Sequence, residues 1–86
     1  MGKRVKVDRR PMTPDERVMA RAISPTHVTY LPGIGTKRFA REMAELAEHE
    51  DAAITEAQAV YLRQVVHRFR RQIPSAVVSL AAGGAQ

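Results

Sequence analysis

The sequence predicts an all-α protein, a small bundle of three main helices. A short piece precedes a glycine-containing turn, and another short piece follows the last helix. Three observations carry this. Over residues 56–73, Ala59, Leu62, Val65, Val66, Phe69 and Ile73 recur at spacings of three and four, which makes one apolar stripe on a helix. Thr13 with Glu16, and Thr55 with Gln58, have the spacing of a capping box, the signature of a helix start. Ser24-Pro25 and Ile73-Pro74 are stops, because proline cannot continue a helix and pushes the preceding residue out of helical geometry. The main helices are expected over about 14–23, 37–49 and 56–73. They form a single domain over 13–82, between a basic arm (1–12) and a loose tail (83–86).

In chain order, the arm carries Lys3, Arg4, Lys6, Arg9 and Arg10 with few core-forming side chains and a break at Pro11. It reads either as a solvated tail or as an arm that folds against phosphate or an acidic protein surface. The first helix has Pro14 at its first position and Asp15 and Glu16 at its positive end. Its Val18, Met19, Ala22 and Ile23 are expected inward, Arg17 and Arg21 outward. Residues 26–30 suit a short helical turn, although their β-branched side chains also allow an extended segment. Leu31, Pro32, Gly33, Ile34 and Gly35 then form a turn whose glycines permit positive φ and leave backbone N–H groups uncovered. Thr36 is the expected cap of the second helix, which buries Phe39, Ala40, Met43, Leu46 and Ala47.

The charges of that second helix are inverted for its dipole. Lys37, Arg38 and Arg41 lie at the positive end, Glu45 and Glu48 at the negative end. An anion held at the Gly33–Arg38 end would account for the inversion. The third helix carries Arg63, His67, Arg70 and Arg71 opposite its apolar stripe, with Arg68 on the flank. After Pro74, residues 77–80 are expected to fold back onto the bundle as a short turn of helix.

Composition bounds the partner class. The chain has 86 residues, 14 Lys/Arg against 9 Asp/Glu, and a formal charge of +5, which favours polyanions at long range. It has no cysteine, so disulfides and thiolate metal sites are excluded. No apolar run approaches the length of a membrane span, and no apolar segment follows the basic start as in a secretory signal. The expectation is a soluble, cytoplasmic protein with no membrane partner, stabilised in part by self-association or a partner. No catalytic residue, cofactor or metal is assigned: the serines have no nucleophile signature, and His27, His49 and His67 are scattered singly.

Two resemblances bear on function. Leu31-Pro32-Gly33-Ile34-Gly35 with Lys37 resembles the hairpin of helix-hairpin-helix DNA-binding motifs over about residues 26–43. That resemblance implies that Gly33 and Gly35 are turn glycines and Lys37 a phosphate-side cation. Phe39 stands where that family usually has a small residue. A longer stretch, about 31–74, resembles small uncharacterised proteins of bacteriophages and integrated elements. It is carried by Leu31-Pro32-Gly33, Lys37-Arg38-Phe39, Ile54-Thr55 with Gln58, Tyr61-Leu62 and Arg68-Phe69-Arg70-Arg71-Gln72-Ile73. It implies a mobile-element setting.

The expected function is a non-enzymatic nucleic-acid-binding accessory protein of phage or mobile-element origin. Its contacts would be Gly33, Gly35, Lys37, Arg38, Arg63, His67, Arg70 and Arg71, together with the basic arm. Duplex phosphate is favoured over stacked bases. The alternative is a protein-binding inhibitor or adaptor that meets an acidic surface, directed at a host defence complex such as CRISPR.

Overall fold

The computed structural model describes residues 8–33 and 35–83. Strand β1 (Arg9–Pro11) leads into helix α1 (Pro14–Ala22) and helix α2 (Gly35–Leu46). Strand β2 (Ala53–Thr55) leads directly into helix α3 (Glu56–Arg68), a 3-10 turn (Arg70–Gln72) and helix α4 (Ser75–Gly83). The protein is therefore mostly helical, but neither purely all-α nor limited to three main helices.

The sheet is the first departure from expectation. β1 and β2 pair antiparallel, with Arg9 opposite Thr55, Arg10 opposite Ile54 and Pro11 opposite Ala53. The Met12 N–H extends the ladder to the Ala52 carbonyl at 3.0 Å. Met12 and Ile54 are buried, so apolar anchors hold the ladder to the core. Residues 9–12 thus belong to the fold rather than to a basic arm, while Lys3, Arg4 and Lys6 lie outside the described residues, as do tail residues 84–86. Pro11 has no N–H to offer a further strand, which blunts one free edge of this two-stranded sheet.

Arg10 ties the sheet to two helix starts. Its Nη1 and Nη2 donate to the two Glu16 carboxylate oxygens at 2.8 and 2.6 Å, and its Nε donates to Glu56 at 3.1 Å. Glu16 is buried, at 3% exposure. It also accepts the Thr13 N–H at 3.0 Å, while the Glu16 N–H donates to the Thr13 hydroxyl at 3.1 Å, completing the capping box of α1. The hydrogen bonds from Arg10 hold the Glu16 carboxyl below its ordinary value of 4.5, against burial that alone would raise it. The Glu16 and Glu56 carboxylates in turn raise the pKa of Arg10.

The second capping box also forms. The Gln58 N–H donates to the Thr55 hydroxyl at 3.0 Å, and the Thr55 N–H donates to Gln58 Oε1 at 2.9 Å. Ile54 just before this cap and Ala59 in the next turn are both fully buried, in the positions of a hydrophobic staple. α3 ends at Arg68 rather than at residue 73. Pro74 holds Ile73 extended (φ −120°, ψ 139°), and the chain tightens through the 3-10 turn to reach it. The segment after Pro74 is a full helix, α4, rather than a short turn.

α2 begins and ends earlier than expected. Gly35 and Thr36 are already helical, so Thr36 is not the cap; its hydroxyl lies 3.3 Å from the Tyr61 hydroxyl. After Leu46 the chain turns away, and α1 supplies the cations that the negative end of α2 lacks. Arg17 donates to the carbonyls of Ala47, His49 (2.9 Å) and Glu50 (3.4 Å), and Arg21 pairs with Glu48 at 3.5 Å. Half of the charge inversion is thereby compensated from outside the helix. The short piece before the glycine turn is not a helix: the His27 and Val28 N–H groups both return to the Ser24 carbonyl as turns.

α1 lies at the hub and packs against α2, α3 and α4. Met19 and Ala20, with Ile23 just past the helix end, are buried at the core, whereas Val18, expected inward, is 43% exposed. Ala59, Leu62, Val65 and Val66 supply the wall from α3. Phe39, Leu46 and Phe69 sit at the rim of this core instead of filling it. Burying a side chain such as Leu62 contributes about 1.5–3 kcal/mol, which this aliphatic core repeats over several positions.

Candidate nucleic-acid interface

The glycine turn is built as its residue types require in one respect. Gly33 has φ +86°, a conformation that L side chains rarely adopt. Gly35 is the first residue of α2, and a Cβ there would meet nothing within 4 Å, so the backbone is open to approach. α2 has no acid in its first turn, and the residue before Gly35 is an isoleucine, whose side chain has no oxygen to cap with. α1 and α3, by contrast, both have threonine caps. Lys37 and Arg38 are exposed and make no ion pair with a described carboxylate.

Four contacts fasten this region along α3 and the 3-10 turn that follows it. The Gln72 side chain bonds the Thr29 backbone twice, accepting its N–H at 2.8 Å and donating to its carbonyl at 3.3 Å. The Tyr30 ring meets Phe69 edge-on at 4.8 Å, and the Tyr30 hydroxyl donates to the Ile23 carbonyl at 2.6 Å. Burial pushes the Tyr30 phenol up to about 12. The Phe39 ring meets Tyr61 edge-on at 4.5 Å, beside the Thr36–Tyr61 contact. Tyr30 and Thr36 therefore bracket the stretch from Tyr61 to Phe69, about 12 Å of helix axis. Between them Leu31, Pro32, Gly33 and Gly35 face solvent, with Leu31 72% exposed.

The expected basic face of α3 divides. His67, Arg70 and Arg71 are exposed, and Arg63 is half-buried. Arg70 Nη1 donates to the His67 carbonyl at 2.9 Å, closing the end of α3. Arg63 and His67 lie round the helix from Tyr61, whereas Arg68 follows Tyr61 by seven residues and returns to the same side. A small cleft is lined by Tyr61, Gln64, Val65 and Arg68. A second cleft, of about 370 Å³, is lined by Arg68, Phe69, Arg70, Arg71 and Gln72. Arg68 belongs to both. It was outside the expected contact set, and its spacing from Tyr61 is the signal that would have found it.

The remaining expected contacts separate. Arg9 is exposed on β1, whereas Arg10 is engaged by Glu16 and Glu56. Arg41, which is not one of the expected contacts, lies one turn after Lys37 on α2, in a hollow lined also by Ser24, Pro25, Thr26, Ala44 and Glu45. Among the described residues no three His, Asp or Glu side chains gather as a metal site requires. No described helix is long and apolar enough to cross a membrane. Compared with protein-family models, curated proteins and solved structures, the chain matches none.

Proposed function

We propose that this is a non-enzymatic nucleic-acid-binding accessory protein that contacts the phosphate backbone of duplex DNA, in the phage or mobile-element setting that the longer resemblance implies. One observation carries the reading. Lys37 and Arg38 at the start of α2, and Arg68, Arg70 and Arg71 round the end of α3, are exposed without an ion-pair partner among the described residues, and the open glycine turn runs between Thr29, bonded by Gln72, and Thr36, which touches Tyr61. A merely solvated face would suit lysine as well as arginine. Arginine is the better residue for two-point contact with phosphate oxygens.

The aromatics favour backbone over base contact. The chain has two tyrosines, two phenylalanines and no tryptophan, and all four rings are used in the two edge-on pairs. Tyr30 is buried and the other three rings are half-buried, so none stands out as an open stacking platform for unpaired bases. Fluorescence anisotropy with labelled duplex DNA, single-stranded DNA and RNA, across a salt series, tests the proposal. Duplex should bind best, with log K falling against log salt at a slope of about −3, as for three to four phosphate contacts. Failure to bind any of the three at low salt overturns it.

The exposed Leu31 favours a second reading, a protein-binding inhibitor or adaptor, because an apolar tip among cations suits an acidic protein surface. Under that reading all three nucleic acids are ignored. Leu31→Ser and charge reversal at Arg70 and Arg71 would then each reduce capture of a host protein.

A further inference from the structure

Arg68 occupies a place that the two ends of the interface have in common. It lines the cleft beside Tyr61 and also the cleft of the 3-10 turn. Lys37 and Arg38 follow Thr36 by one and two residues, so they turn about 100° and 200° round α2 from the side that touches Tyr61. Arg70 and Arg71 lie just past the end of α3, next to the Gln72–Thr29 bonds. Arg68 is exposed and is neither ion-paired nor hydrogen-bonded to another described side chain, so its guanidinium is available.

We propose that Arg68 is a phosphate contact in one continuous track at the end of α3, in which Arg68 on the Tyr61 side and Arg70 and Arg71 beyond it hold consecutive phosphates of the same DNA strand. This rests on the nucleic-acid reading above and specifies how that ligand lies. The dimensions agree. The stretch from Tyr61 to the end of α3 is about 12 Å. Consecutive phosphates of one strand advance by about 3.4 Å of duplex axis while turning round it, so their separation along the strand is larger and about two to three face such a stretch. The track also excludes residues that a diffuse basic face would include. Arg63 precedes Arg68 by five residues and lies about 140° round the helix from it. Arg41 stands in its own hollow with Glu45.

The test uses the full chain and a short labelled duplex of mixed sequence, with circular dichroism to establish that each variant is folded. Arg68→Gln should weaken binding about tenfold, the loss of one charge-assisted contact. It should also reduce the magnitude of the salt slope by about one. Arg68→Lys should retain the slope while losing part of the affinity, and it serves as the second variant if the glutamine disturbs the fold. Arg63→Gln and Arg41→Gln should leave affinity and slope unchanged, and one chain should bind one duplex. Arg68 variants that bind like wild type overturn the track, as do Arg63 or Arg41 losses equal to that of Arg68, or two duplexes per chain. A wild-type protein that ignores duplex DNA overturns the broader reading as well, which separates the two failures.

Discussion

Removing the Glu16 carboxylate should loosen the start of the chain and the start of α1 together. Two Arg10 bonds, at 2.8 and 2.6 Å, and the Thr13 N–H at 3.0 Å converge on a side chain with 4% exposure. Charge-assisted bonds of this kind contribute about 1.5–3 kcal/mol. The Arg10 side chain is 36% exposed, so solvent screening brings its share to about 1–2 kcal/mol. The capping box adds about 0.5–1 kcal/mol. Glu16→Ala should therefore cost about 1.5–3 kcal/mol, a fall in Tm of about 10–20 °C for a domain of this size. Glu16→Gln keeps an acceptor for the Thr13 N–H and loses the charge, so it should cost about half as much.

The pH dependence has a definite sign. Because the folded Glu16 carboxyl titrates below 4.5, its contribution is complete above that value and disappears as pH falls through the lowered one. Thermal melts of wild type and Glu16→Gln should differ at pH 7 and converge in acid. A double-mutant cycle with Arg10→Ala should show coupling of about 1 kcal/mol or more. Equal melting of wild type and Glu16→Gln at pH 7, with no coupling to Arg10, would refute the reasoning.

The two glycines should respond in opposite directions: Gly33→Ala should cost about 1–2 kcal/mol because of its positive φ, while Gly35→Ala should be neutral or stabilise by about 0.5 kcal/mol, both read from Tm. Tyr30→Phe should cost about 1 kcal/mol by removing the bond to the Ile23 carbonyl. In ultraviolet titration the Tyr30 phenolate should form only near pH 12, and the stabilisation tied to its protonated form should be lost as pH rises from about 10 through that value. Arg17→Ala should cost about 1–2 kcal/mol by leaving the carbonyls at the end of α2 without their donor, and chemical denaturation should show it.

What was legible in the sequence was local. Thr13 with Glu16, and Thr55 with Gln58, bond as their spacing required, because both partners lie within one helical turn. The apolar stripe of α3 was legible for the same reason, as far as Arg68. What was missed depended on distant neighbours. Three-residue strands carry too little alternation to declare themselves, and residues 9–11 find their partners only when β2 arrives from far along the chain. Arg10 reads as a solvated cation until Glu16 and Glu56 stand beside it. Thr36 reads as a cap, yet the helix starts before it and Tyr61 takes its hydroxyl. The spacing of Arg68 from Tyr61 was legible, but only Thr36 and Phe39 set against Tyr61 show which side of α3 that spacing matters on.

The pairing of β1 with β2 has a kinetic side. The Arg10–Glu56 contact joins positions 46 residues apart, and closing such a loop costs about 3 kcal/mol of chain entropy before any bond forms. β1 should therefore dock late in folding, after the helices have drawn Glu56 and Ile54 into place. The Thr55–Gln58 cap lies wholly within β2 and α3, so undocking β1 leaves the start of α3 intact. The Met12 amide should accordingly exchange its hydrogen through a partial opening, ahead of the amides around Leu62 and Val66, which require global unfolding.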